Sequence, residues 1–228
     1  MKYSVLFVFT SVDKALSGHQ TGWCLAEAAH PYYVLAPHAS IDFASPAGPN
    51  PPVDEESTHQ FMDDLCQGFL KDETVKQKLA SAMKLSEVDP ADYDAVFYPG
   101  GDGAVIDLAS DPANAKLVSE FWRMGKIVSA VGHGVAGLMQ GTDAKGNLFL
   151  SGRTVTALSD VEEEISKKTK DLPWLIEDKL REDIGAKYHK VHVHDPNIVV
   201  DGKLVTGQNP ASAEGVGQAV VTLLKQLD

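Results

Sequence analysis

Short apolar runs alternate along the chain with longer stretches whose apolar residues recur at helical spacing. "YSVLFVF" (3–9), "IDFAS" (41–45), "DAVFYPG" (94–100), "KIVSAV" (126–131) and "KLVTG" (203–207) are rich in β-branched and aromatic residues with few polar positions, the pattern of strands buried on both faces. Between them, "GWCLAEAAHPYYVL" (22–35), "DPANAKLVSEFWRM" (111–124) and "PASAEGVGQAVVTLLKQL" (210–227) carry the period of helices with an apolar side. The second opens on Asp111 or Ser110 as a cap, with Pro112 in the first turn. "PAGPNPPVDEES" (46–57) reads as a Pro-rich loop, "TDAKGNLFLSGRTVT" (142–156) as a turn with short strands, and 161–185 as one or two helices added to the core. Strand–helix alternation predicts an α/β fold, a three-layer sandwich whose mostly parallel sheet carries helices on both faces. No repeat or low-complexity linker interrupts it, so a single domain over 1–228 is expected.

Composition narrows this picture. The 228 residues, 43% hydrophobic, suffice for one sizeable core. A net charge of -12, with no basic run longer than "SKKTK", argues against nucleic acid or an anionic membrane as partner. The first apolar run is too short to span a bilayer and no small-residue cleavage site follows it. Cys24 and Cys66, the two cysteines, make neither a disulfide framework nor a zinc site, so a reducing cytoplasm is the expected location.

In open α/β sheets ligands bind beyond the carboxyl ends of strands, which directs attention to Thr10-Ser11, Pro99–Gly101 and Gly132-His133. At the last of these a β-branched strand stops at "GHG" (132–134) and a small-residue helix starts at once. Such a turn is where many α/β enzymes present a nucleophile, yet its tip is glycine. "GHGVAG" (132–137) also fits the dinucleotide fingerprint, with Asp160 placed to reach a ribose; Gly141 and Asp143 cut the following helix short, so the match is weak and no cofactor is expected. "FYPGGDG" (97–103) ends a strand in Gly100-Gly101, where backbone N–H groups can converge on an oxyanion or glycine can simply serve a tight turn. Glu27, among Trp, Leu and Ala, would have a raised pKa if it faces inward and an ordinary one if it faces water. His133 could act as a base, with Asp160, Glu162, Glu163 and Glu164 as orienting carboxylates; a solvated helix start accounts for the same charges. In "KYHKVHVHD", His189, His192 and His194 alternate, and His192 with His194 would share a strand face able to hold a metal. No third ligand is evident, and no metal is expected.

Taken in order, these segments resemble the ThiJ/PfpI superfamily, which has the flavodoxin-like, class I glutamine amidotransferase-like fold. Within it they resemble the branch of heat-shock chaperones and glutathione-independent glyoxalases (glyoxalase III). The motifs that carry the resemblance are "TGWCLAEAAHPYYV", "YPGGDGAVIDLASDPAN", "VSAVGHGVAGL", "TALSDVEEE" and "DGKLVTGQNPASAEGVGQAV". The resemblance implies that Glu27 is a buried proton-shuttling glutamate and that Gly100 and Gly101, with His133 and Gly134, form the oxyanion and substrate-binding turn. It also implies that Glu163 orients His133. Asp102 stands where the family usually has His, Val135 where it has Pro, and Gly132 where it has the nucleophilic cysteine.

Members of the branch convert methylglyoxal to D-lactate through a hemithioacetal on that cysteine, some act as chaperones, and many pair as homodimers. A small aldehyde or carbonyl substrate is therefore implied, with thiol-dependent activity lost at Gly132, whether in an engineered inactive variant or a natural homologue. Glycine tolerates a strained elbow backbone, so the fold should survive the replacement. Cys24, three residues before Glu27, is expected to point away from the site. Two alternatives remain: a non-catalytic chaperone for unfolded clients or a small-molecule binder, resting on the apolar "HPYYVLAP" (30–37), and a cysteine-independent lyase, hydratase or isomerase using Glu27 as general acid and base.

Overall fold

The apolar runs become strands covered on both faces, save that Asp42 of "IDFAS" is exposed. The computed structural model describes residues 3–227. Its strands are β1 (Tyr3–Val8), β2 (Ala39–Ser45), β3 (Met83–Lys84), β4 (Ala95–Tyr98), β5 (Ile127–Val131), β6 (Thr154–Val155), β7 (Lys187–Tyr188), β8 (Ile198–Asp201) and β9 (Leu204–Gly207). The helices are α1 (Leu25–Leu35), α2 (Glu55–Gln60), α3 (Asp64–Lys71), α4 (Glu73–Ala80), α5 (Gly103–Ile106), α6 (Pro112–Arg123), α7 (Asp160–Ser166), α8 (Ile176–Asp178) and α9 (Ala213–Leu224). A seven-stranded sheet runs in the order β3-β2-β1-β4-β5-β9-β8, parallel throughout except for β8, which pairs antiparallel with β9.

Successive residues of β1 feed opposite cores. Val5 and Phe7 join Phe43, Phe97 and Val131 under α1 and α9, whereas Leu6 and Val8 join Val96, Tyr98 and Val128 under α6, as the two-residue period of a strand requires. β1 lies between β2 and β4, with β5 beyond β4. The chain therefore reverses its direction of sheet growth at β1/β4, and the turns after β1, β4 and β5 open at one edge, where such sheets bind ligands.

Several expectations need correction. The end of the Pro-rich stretch and the residues before β3 form α2, α3 and α4, three short helices whose caps Asp54, Asp63 and Asp72 accept one or two backbone N–H groups of the following turn. Residues 189–196 form turns rather than a strand; β7 ends at Tyr188 and His194 has a φ of 64°, so His192 and His194 share no strand face. "GHGVAG" leads into a buried 3-10 turn, Gly132–Leu138, not an α-helix with a free N-terminus, and a Cβ at Gly134 would meet the Tyr98 carbonyl at 2.2 Å. Gly134, the middle glycine of that pattern, is thus packed against the end of β4 and is not open to a ligand. Pro31, Tyr32 and Leu35 of "HPYYVLAP" are buried, with Pro31 against Gly217 of α9, so the apolar surface this segment offers is confined to half-buried Tyr33, Val34 and Ala36 and exposed Pro37. Among the described residues no helix is long and apolar enough to cross a membrane.

The 3-10 turn after β5 is tied down by fully buried Asn114, which accepts from the Tyr98 hydroxyl (2.8 Å) and donates to the carbonyls of Leu108 (2.8 Å) and Gly137 (2.7 Å). Asn114→Ala leaves all three groups unpaired in the core. It should lower the unfolding free energy by about 2–4 kcal/mol, read from urea denaturation.

Candidate active site

β5 ends at Val131 in extended backbone (φ -137°), and Gly132 turns at once to a φ of +54°. A residue with a side chain is strained in that region. Space sets a second condition: a Cβ built on Gly132 would lie 2.5 Å from Glu27 Oε1 and 2.9 Å from Oε2, and one on Gly100 would lie 2.0 Å from Oε2. The Glu27 carboxyl thus sits between two glycines, in the room that side chains there would need.

Glu27 reaches this position from the first turn of α1, whose Leu25 N–H donates to Ser57 Oγ (3.0 Å). Its relative exposure is 3%. Burial raises its pKa from an ordinary 4.5 to about 7, against the opposing pull of positive His133 and the Gly100 N–H, with Asp102 and Glu162 adding to the rise. Its Oε2 has no hydrogen-bond partner among the described residues. A carboxyl with this pKa and a free oxygen can both take and return a proton near neutrality.

His133 follows the glycine and is held at both ring nitrogens. Nε2 pairs closely with Glu163 Oε1, and Nδ1 lies 3.3 Å from Asp102 Oδ1. Burial disfavours the charged ring, but Glu163 and Asp102 outweigh it and hold the His133 pKa well above the usual value. Burial likewise works against the Asp102 carboxylate, and the hydrogen bond and charge of His133, with Lys168, keep its pKa low instead. Lys168, just beyond α7, lies 3.5 Å from Asp102, 3.4 Å from Asp54 and 3.1 Å from Glu56. The sequence assigned no role at the site to Asp102 or Lys168. The aspartate stood out only as a departure from a motif, and the lysine gave no signal.

The acidic run at 160–164 divides by partner. Glu163 faces His133. Glu162 accepts from Ser159, Gln208, Asn209 and the His194 backbone N–H, and so braces the loops around the site. Asp160 lies by Glu177 at the start of α7, and Glu164 is exposed. Two of the four are therefore buried ligands of other groups rather than a solvated helix start.

Glu27, Gly101, Asp102, His133, Glu163 and Lys168 line one cavity of about 500 Å³. Gly100 and Gly134 lie behind its wall; the Gly100 N–H is turned to Glu27. Cys24 also lines it, contrary to the orientation expected of it. It is the N-cap of α1, in extended backbone, not a residue within the helix. Burial, reinforced by the Glu27 charge, pushes its thiol pKa well up, so it is a neutral thiol at the cavity wall.

Residues 26–223 match the DJ-1/PfpI family. The chain is 31% identical over 233 residues to the glutathione-independent glyoxalase HSP31 of Saccharomyces cerevisiae, covering 97% of this chain and 98% of that protein. Among solved structures it is similar to the Rapid Encystment Protein 24 KDa of Francisella tularensis, at 31% identity and a TM-score of 0.91, covering 96% of this chain and 98% of that one. It is also similar to glyoxalase III from Candida albicans, at 28% identity and a TM-score of 0.87, covering 97% of each chain.

Because folded Glu27 holds its proton up to about pH 7 and the unfolded chain releases it near 4.5, this group costs the native state stability as pH rises between those values. The loss amounts to about 3 kcal/mol once pH exceeds 7. Glu27→Gln should remove it, so that the variant gains on the parent by about that amount between pH 4.5 and pH 8 in urea denaturation.

Proposed function

The chain belongs to the DJ-1/PfpI family, and from that premise we propose that its cavity is a glyoxalase III-type site for small 2-oxoaldehydes such as methylglyoxal, with the thiol step lost and Glu27 left as the proton-transfer group. The observation that carries this reading is the buried Glu27 carboxyl, with a pKa of about 7 and an unpartnered Oε2, set against an elbow that has no side chain. The names of two relatives matched along nearly their whole length, a glutathione-independent glyoxalase and a glyoxalase 3, support the substrate class.

A thiolate at the elbow would add to the aldehyde carbon and create the adduct from which a proton is moved. Gly132 cannot do this. The remaining adduct is the aldehyde hydrate, CH3–CO–CH(OH)2, in which water takes the place of sulfur. Ionised Glu27 removes the C1 proton to give the enediolate, and protonated Glu27 returns a proton to C2, yielding CH3–CH(OH)–COOH with no change in atom count. His133, engaged at both nitrogens, serves on this reading as a fixed positive charge beside the developing enediolate and not as a base.

Two variants test the reading. Gly132→Cys accepts backbone strain of about 1–3 kcal/mol and requires the Glu27 carboxyl to swing aside, a movement open to the end of a side chain. It should raise methylglyoxal conversion to lactate by roughly tenfold or more, a barrier change of at least about 1.4 kcal/mol. Glu27→Gln should lower the conversion by about 100-fold. A folded Gly132→Cys protein that is alkylated by iodoacetamide at position 132 yet shows no gain would overturn the assignment, as would conversion indifferent to Glu27→Gln.

A further inference from the structure

We propose that His30, Asp63 and Cys66 form a divalent-cation site of zinc type, clamping α1 to the start of α3 and separate from the cavity around Glu27. His30 lies on α1, Asp63 caps α3, and Cys66 stands in the first turn of α3. Asp63 Oδ1 is committed to the backbone N–H groups of Leu65 and Cys66 (3.1 Å each). Its Oδ2 is turned to His30 Nε2 at 3.1 Å, and Cys66 Sγ lies 3.6 Å from the same nitrogen. The three ligand atoms lie within 4.8 Å of one another.

The Asp63 carboxylate draws both the Cys66 thiol and His30 Nε2 toward it, so the three ligand atoms already converge on one point. A cation between them satisfies all three. Tetrahedral zinc, at its usual bond lengths, sets N···O and N···S edges of about 3.3 Å and about 3.6 Å, close to the separations observed. The donor set points the same way: neutral imidazole, carboxylate and thiolate suit zinc, whereas calcium and magnesium take oxygen ligands. Thiolate and carboxylate together cancel the charge of a divalent ion.

Burial is graded as an accessible site needs. Cys66 is fully buried, while the side chains of His30 and Asp63 are 22% and 47% exposed. The inner ligand is therefore fixed and the outer two are reached from solvent. The ion would also join two walls of the cavity, because α1 carries Glu27 and the segment from Glu56 to Phe61, just before Asp63, lines the opening.

Cobalt(II) is the probe, added to chelator-treated full-length protein under a non-coordinating reductant. The expected result is one equivalent bound, with a near-ultraviolet thiolate-to-cobalt charge-transfer band that zinc displaces. Cys66→Ser should abolish the band and Cys24→Ser should leave it intact. His30→Gln, at a part-exposed position that does not threaten folding, should weaken cobalt binding by roughly tenfold or more. The site is disproved if folded parent protein shows no band at saturating cobalt, if the band survives Cys66→Ser, or if His30→Gln binds as tightly as the parent. Should Cys66→Ser fail to fold, the parent titration and His30→Gln decide alone.

Discussion

The site is organised around one buried carboxyl held where side chains are missing. Glu27 stands in the first turn of α1, and its oxygens fill the space beside Gly132 and Gly100, where any Cβ would come within 2.5 Å of them. This requires three elements to meet: the end of β4 with Gly100, the end of β5 with Gly132, and α1 laid across them. The parallel pairing of β4 with β5 brings the first two together. The packing of α1 against α9, through Pro31 and Gly217, brings the third. Desolvation then keeps the carboxyl partly protonated near neutrality.

Around that group the protein has arranged fixed charges in alternation. Glu163, His133, Asp102 and Lys168 form a chain of opposite signs, continued by Asp54 and Glu56. Each member is partly or wholly buried except Glu56, and each has a counter-ion at hydrogen-bond distance, which is what makes burial of so many charges tolerable. With no side chain at position 132, the Nδ1 side of His133 is answered by Asp102. The histidine and its two acids are thereby a stable electrostatic fixture, and Glu27, with an oxygen left unpartnered, is the group free to exchange a proton with a ligand.

Much of the fold was legible in the chain because β1, β4, β5 and β9 are mostly apolar and β2 carries Ala39, Ile41 and Phe43 at alternate positions, and the elbow at 132–134 announces itself by an abrupt change from β-branched to small residues. The orientation of Glu27 was not legible for a physical reason. Leu25, Ala26, Ala28 and Ala29 are buried along with it, so α1 shows no polar face against which an inward direction could be read. Cys24 was misjudged because a capping residue does not follow helical geometry. The pairing of Asp102 with His133, and the reach of Lys168 across the opening, are contacts between distant segments that no local period encodes. The helices α2 to α4 are short, yet their aspartate caps recur every nine residues, at 54, 63 and 72, a signal that was there to be read.

The state of the Glu27 carboxyl is most directly measured by 13C NMR titration of side-chain-labelled protein, with Glu27→Gln to assign its resonance. A midpoint of about 7, belonging to a signal absent from the variant, is the expected result. A midpoint near 4.5 would contradict it, since the carboxyl would then be a solvated anion, unable to return a proton at neutral pH.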